Sequence, residues 1–331
     1  MDPTDSIKAN ADTDAAARRS ERGITADLIA VLVAVTSGEP RVLTIQEQHA
    51  LPSGPFELVH RSLQSGLRAW VERQTRLPLG YVEQLYTFAD RDRAGTTAQH
   101  VISISYLGLT REQAASGEYE ASWRSWYDYL PWEDHRLGAP PLIEETLKRG
   151  LLSWASATPD RAARRSRRER AAMLFGFEDH AWNEELVLQR YELLYEAGLI
   201  PEALRGASPA VTPDKAATAI APGAAMILDH RRILATGIAR LRAKIKYHPV
   251  VFELMPDSFT LLELQRCVEA LAGKLVHKPN FRRLIEQQEL VEETGETSQD
   301  TPGRPAKLFR FRRAVHAERA IAGTKLPISG A

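Results

Sequence analysis

Phe259-Thr260-Leu261-Leu262-Glu263-Leu264 opens the stretch on which the fold turns. Thr260 and Glu263 stand at capping-box spacing, where each side chain satisfies a backbone N–H that the helix start leaves open. Phe259 is placed to staple against Leu264. Leu264, Val268 and Leu271 then line one side of a short helix that Gly273 and Lys274 end. A second helix begins in His277-Lys278-Pro279-Asn280-Phe281-Arg282-Arg283, with Pro279 in its first turn and Phe281, Leu284 and Ile285 on its buried side. Two strand-like runs, 290–294 and 306–312, follow around a polar loop holding Gly295, Pro302 and Gly303. Helix, turn, helix and hairpin in that order make a winged helix-turn-helix.

A helix that reads DNA needs donors near its N-terminus, where side chains reach base edges and the helix end itself favours phosphate. Lys278, Asn280, Arg282 and Arg283 are such donors, and Asn280 has the amide that reads an adenine edge. The wing tip Gly303-Arg304-Pro305-Ala306-Lys307 adds two cations, Arg304 and Lys307, suited to the minor groove or the backbone. The plainer reading is a solvated amphipathic helix beside a surface hairpin. Cations at both the helix start and the wing tip favour double-stranded DNA.

Outward from this unit, 229–247 is helical, with Ile233, Leu234, Ile238, Leu241 and Ile245 down one side. The Ala-, Pro-, Thr- and Gly-rich segment before it reads as a linker. A helix over 184–199 carries Leu186, Arg190, Leu193 and Leu194 on one stripe and stops at Gly198. Between 110 and 179 no period holds. That region contains an aromatic cluster, Trp123, Trp126, Tyr127, Tyr129 and Trp132, read as packing, and a basic run over 161–170, read as a solvated helix face or loop. Earlier still come strands at 82–88 and 101–109, a helix over 58–74 with Val59, Leu63, Leu67, Trp70 and Val71 at helical spacing, and a hairpin of 24–35 with 41–46. Residues 1–22 have almost no large apolar side chain and read as a disordered tail.

The chain has 331 residues, more than one compact domain usually holds, so two folded units with tails are expected. With 44% hydrophobic and 26% charged residues it is not collagen-like, disordered or disulfide-stapled. The longest apolar run, 28–35, falls well short of the roughly 18 residues that a spanning helix needs, and it does not read as a signal peptide. A single cysteine, Cys267, fits a reducing cytoplasm and reads as a small buried hydrophobe. Net charge is zero only as an average. Residues 229–331 hold 18 Lys and Arg against 12 Asp and Glu, whereas 1–228 hold 25 against 31. This asymmetry suits a neutral or acidic sensing part joined to a part that meets a polyanion.

The order hairpin, Leu51-Pro52-Ser53-Gly54-Pro55 loop, amphipathic helix and strand resembles a Nudix domain. In that family a box of glutamates on the helix holds magnesium, a hard ion that takes oxygen ligands. Laid on Gly54, the box places Arg68 on its arginine and Glu72 on one glutamate. His60, Ala69, Arg73 and Thr75 stand where three glutamates and a glycine belong. No metal site and no hydrolytic residues are therefore expected, and none of the nine histidines pairs at metal-ligand spacing beside a third donor. The segment from Leu77-Pro78-Leu79-Gly80 through Glu83-Gln84-Leu85-Tyr86-Thr87-Phe88 resembles the strand after the degenerate box in Nudix-related transcriptional regulators of NAD metabolism. Residues 259–265, 280–283 and 303–311 resemble that family's winged helix.

The resemblance implies an α+β chain, a Nudix-like α/β/α sandwich with a helical insertion followed by a winged helix-turn-helix. Its parts are a tail at 1–22, a Nudix-like sensor at 23–205 with an insertion at about 110–180, and a linker at 206–228. A connecting helix at 229–248, the winged helix at 249–315 and a tail at 316–331 complete it. It also implies a cytoplasmic repressor of NAD synthesis or salvage genes. This repressor would bind a palindromic operator as a homodimer, would use no cofactor, and would sense NAD, ADP-ribose or ATP. Arg68, Glu83 and Tyr86 are the implied effector contacts. A working nucleotide pyrophosphohydrolase with an accessory winged helix is the alternative. It needs metal ligands from outside the box, such as Glu178, Asp179, Glu184 and Glu185. A protein-interaction scaffold is a third reading with no specific residue in its favour.

Overall fold

The computed structural model describes residues 24–80, 82–89, 100–113, 120–205, 221–245, 250–298 and 305–312. The expected tails at 1–22 and 316–331 and most of the expected linker lie outside these residues, as does Arg304.

Strand β1 (Ile24–Thr36) is the spine of the N-terminal part. Its two-residue turn to β2 (Glu39–Thr44) places Ser37 and Gly38 at positive φ, the geometry that suits a tight antiparallel hairpin. β3 (Ser53–Pro55) pairs with β1, β4 (Val82–Phe88) with β5 (His100–Leu109), and β6 (Ser122–Ser125) with β2, all antiparallel. β5 runs parallel to β1, so the sheet order is β4-β5-β1-β2-β6. The apolar run 28–35 lies on β1 and most of it is covered on both faces, which is why it lacks alternation. Leu28, Ala30 and Leu32 meet helix α1 (Leu63–Thr75), whereas Ile29, Val31 and Val33 face the opposite layer.

Helix α1 starts later than its periodicity suggests. Ser62 caps it and forms a capping box with Ser65, so residues 58–61 stay outside, with Leu58 and Val59 exposed. Beyond β6 the insertion runs through one-turn helices at Trp126–Asp128 and Pro131–Glu133, then a π-type segment Ile143–Lys148. It continues as α2 (Arg149–Ser156) and α3 (Arg161–Phe175), and is followed by α4 (Val187–Glu196) and the short α5 (Pro201–Leu204). Trp126, Tyr127, Tyr129 and Trp132 are buried, as packing requires.

Two expectations change here. The described part of the expected linker, 221–228, is laid against the body. Ala221 N–H donates to Leu199 O at 2.6 Å, Ala224 N–H to Asp128 O at 2.8 Å, and Ile227 N–H to His49 O at 2.8 Å, while Met226 is fully buried. The expected connecting helix, α6 (His230–Ile245), does not bridge two units in open solvent. It forms the third layer of the sandwich, so close to β1 that a side chain at Gly237 would touch Val31 at 3.0 Å. Its Ile233, Leu234, Ile238 and Leu241 bury against the sheet.

His230, at the start of α6, is fully enclosed, and its Nδ1 accepts the Leu51 N–H at 2.9 Å. Burial pushes its pKa down to about 4. A histidine that stays neutral when folded but titrates normally when unfolded gives stability that is complete above about pH 6.5. That stability is lost as pH falls toward 4, a change of about 3 kcal/mol. Urea midpoints at neutral pH and at pH near 5 should separate for the unmodified chain. For His230→Gln this separation should shrink, and an equal separation in both would refute the assignment.

The C-terminal unit has α7 (Leu261–Ala272), α8 (Lys278–Gln287), β7 (Val291–Ser298) and β8 (Ala306–Phe311). The Thr260–Glu263 capping box is present, and Gly273 takes the left-handed conformation that ends α7. Phe259 and Phe309 exchange both backbone hydrogen bonds, at 2.9 and 2.8 Å, which ties the wing to the start of α7. The Phe259, Phe311 and Phe252 rings meet below them.

Candidate nucleic-acid interface and nucleotide site

The sequence fixes one side of α8 to the core through Phe281 and Ile285, so Lys278, Arg282 and Arg283 are left exposed. None of these three has an ion pair to another described residue. Asn280 is also exposed, but it stands on the rim of a groove of about 490 Å³ that Phe281, Leu284 and Gln288 continue, one stripe away from the two arginines. His277 caps α8 without a side-chain bond, so the first N–H groups of the helix have no side-chain acceptor. Such a helix start favours an anion.

On the wing, Lys307 is paired across the hairpin with Glu293 at 2.8 and 3.0 Å. Arg310 is paired with Glu292 at 2.7 Å and Arg312 with Glu289 at 2.9 Å. Glu292 and Glu293 of β7, with Glu289 just before it, therefore partly neutralise these cations, while those of α8 have no ion pair among the described residues.

The three residues expected to hold a nucleotide do not converge. Arg68 turns back onto its own chain, donating to Leu79 O and, at 2.7 Å, to Gly80 O. Glu83 lies on the other face of the sheet and pairs with Lys244 of α6. Tyr86 is exposed beside a bulge in β4 and rests on Phe88, with ring centroids 4.9 Å apart. Arg232 covers the Phe88 ring at 4.3 Å. On α1, Trp70 lies over Gly54 of β3 so closely that an added Cβ would collide with its ring, and its Nε1 donates to Pro55 O at 2.9 Å. Glu72 is exposed on the outer side of α1. Of the acids considered as substitute ligands, Glu184 is committed to Lys274 at 2.8 Å. Among the described residues no three His, Cys, Asp or Glu side chains stand close enough to share a metal, and no helix is long and apolar enough to cross a membrane.

Periodicity alone missed a buried polar hub. Glu133 is fully enclosed and accepts from Arg190 Nε at 2.7 Å and Nη2 at 2.8 Å, and from Arg242 Nη1 at 2.6 Å. Burial alone would raise its carboxyl, but the two guanidiniums hold it below the usual carboxylate range. Arg190 also stacks 3.8 Å over Trp182. One signal was available: Arg190 sits on the same helical stripe as Leu186, Leu193 and Leu194, where a charge is out of place unless it is paired.

Residues 251–311 match the family model of the NrtR DNA-binding winged helix domain. The C-terminal unit is similar to the NrtR winged helix. The ADPR responsive transcriptional repressor NtrR of Acinetobacter baylyi is 40% identical over 86 residues, 26% of this chain. That alignment spans about a third of the repressor, 34% of its length. The Shewanella oneidensis NrtR structure solved with a 27mer DNA superposes with a TM-score of 0.51 at 18% identity. It covers 88% of this chain and 95% of that one. A second Shewanella oneidensis NrtR structure gives 0.50 at 18% identity over the same shares. Over most of its length the chain therefore shares the fold of that NrtR structure, and the family model matches its C-terminal unit. In this winged helix α7 is the supporting helix and α8 the one whose cations have no ion pair among the described residues.

Proposed function

We propose that the chain is a DNA-binding transcriptional repressor of NAD synthesis or salvage genes whose Nudix-like part senses ADP-ribose or a related nucleotide and does not hydrolyse it. The observation that carries the reading is the NrtR winged helix at 251–311 with Lys278, Arg282 and Arg283 unpaired among the described residues. A homodimer on a palindromic operator would present two such helices one helical turn apart. The cytoplasm is the compartment this function requires.

ADP-ribose is favoured among NAD, ADP-ribose and ATP because the Acinetobacter repressor is named for its response to it. Of the three expected contacts only Tyr86 keeps an exposed ring for stacking a base, since Arg68 and Glu83 are engaged within the protein. Hydrolysis lacks its ligands: with His60, Ala69 and Arg73 in box positions, Glu72 alone cannot cage magnesium. A thermal-shift series should show a higher melting temperature with ADP-ribose than with buffer, by mass action on the native state. Incubation with magnesium should leave the nucleotide intact. Phosphate-bond cleavage that disappears in Glu72→Gln would instead establish the pyrophosphohydrolase reading.

A further inference from the structure

We propose that Tyr127, the His135 amide and Arg242 form a clamp on the carboxyl end of α7 that aims α8 at its groove, and so act as positioning residues for DNA reading. The proposal rests on the repressor reading above. A helix leaves its last carbonyls without helical donors, and these are usually satisfied by water or by the next few residues. In α7 the donors come from elsewhere. Tyr127 Oη donates to Ala270 O at 2.8 Å. Arg242 Nε donates to Leu271 O at 3.0 Å, and the His135 N–H donates to Gly273 O at 2.7 Å. Two of these donors belong to the insertion and one to α6, so the N-terminal body grips the winged helix at the turn that precedes α8.

The clamp itself is held rigidly. Arg242 Nη1 also donates to Glu184 O at 3.1 Å, Nη2 donates to Glu133 O at 3.0 Å, and Glu133 neutralises the guanidinium. Gly273 lies directly against it, with positive φ. A Cβ there would stand 2.4 Å from Glu133 O and 2.5 Å from Arg242 Nη2. On the reader's side, Glu269 Oε1 accepts from Val276 N–H at 3.0 Å and from Gln265 Nε2 at 2.9 Å, locking the turn to α7. Lys274 adds its pair with Glu184. α8 starts at Lys278, so it inherits whatever direction this turn is given. Site geometry that must hold to within about half an ångström depends on such supporting contacts.

The test uses the full chain and a duplex that the unmodified chain selects from a random-sequence pool. Two affinities are measured, for the selected duplex and for an unselected one, each over a salt series. Tyr127→Phe removes the bond to Ala270 O together with the 3.4 Å bond that Arg242 Nη2 donates to the hydroxyl, and keeps the ring. It should lower the selected-to-unselected ratio about tenfold, with unselected affinity and salt slope retained and the melting temperature moved by only a few degrees. Gly273→Ala should lower the ratio further by forcing the clamp open, and because it also strains the turn, Tyr127→Phe carries the decision if Gly273→Ala does not fold. An unchanged ratio in folded Tyr127→Phe overturns the clamp and leaves the repressor reading standing. So does a parallel loss of both affinities, which would indicate a merely structural role. Failure of the unmodified chain to select any duplex overturns both.

Discussion

Replacing Arg282 and Arg283 together by alanine is expected to remove specific duplex binding while the fold survives. Both side chains are exposed, and neither supports another described residue through an ion pair. Their loss therefore costs the protein little, in line with most surface substitutions away from caps and networks. On DNA each stands to lose about 1–3 kcal/mol if it reads a base edge, or about one unit of salt slope if it meets a phosphate. Affinity for the selected duplex should fall about a hundredfold or more, and the salt slope should flatten by up to about two. Gel shifts across a salt series measure both. Undiminished binding at low salt would place the reader on another surface. Lys307→Ala should do much less. Its ammonium is shared with Glu293 at 2.8 Å, and although an exposed pair of this kind is worth only about 0–1 kcal/mol, DNA must displace the glutamate first.

How much of this was legible in the sequence depends on how local the cause is. The winged helix was legible because its determinants are neighbours: the Thr260–Glu263 box, the Gly273 stop and Pro279 in the first turn of α8. The central strand announced itself through an unbroken apolar run. The start of α1 misled because Val59 fits the apolar period, while the stronger cap at Ser62 decides where the hydrogen bonds begin. The expected nucleotide contacts fared differently. Arg68, on α1, and Glu83, on β4, are only 15 positions apart in sequence, but α1 covers one face of the sheet and Glu83 points to the other. Chain proximity gives no warning of which face a strand residue takes.

The hub was the least legible feature because its partners are far apart in the chain. Arg190 reaches Glu133 across 57 positions and Arg242 reaches it across 109. An arginine on an apolar stripe signals that a carboxylate must exist somewhere, but not where. This also explains why the helix expected to connect two units became part of one body. Once Arg242 is committed to Glu133 below and to the Leu271 carbonyl above, α6 cannot leave the sheet without exposing an unpaired charge network. The N-terminal body and the winged helix are thus joined by buried polar bonds as well as by chain, so a movement of the body would carry α8 with it.

Glu133→Leu should be the most damaging single substitution in the body. It leaves two fully buried guanidiniums without the carboxylate that pairs with both, the situation in which removal of one partner costs about 3–5 kcal/mol. Against a typical total of about 5–15 kcal/mol, that is enough to halve the stability or abolish soluble expression. Glu133→Gln keeps the shape and an acceptor but loses the charge, so it should fall between the two. Adding Arg190→Leu and Arg242→Met to Glu133→Leu should recover part of the loss, since a matched apolar set avoids the cost of desolvating charge. Denaturant midpoints for the three chains give the ranking. A Glu133→Leu chain as stable as the parent would mean that water or another group already compensates the arginines. The recovered triple variant also isolates the role of the charge itself. It should fold yet read DNA poorly, because its packing is repaired while the Leu271 carbonyl has lost the donor that held the reader in place.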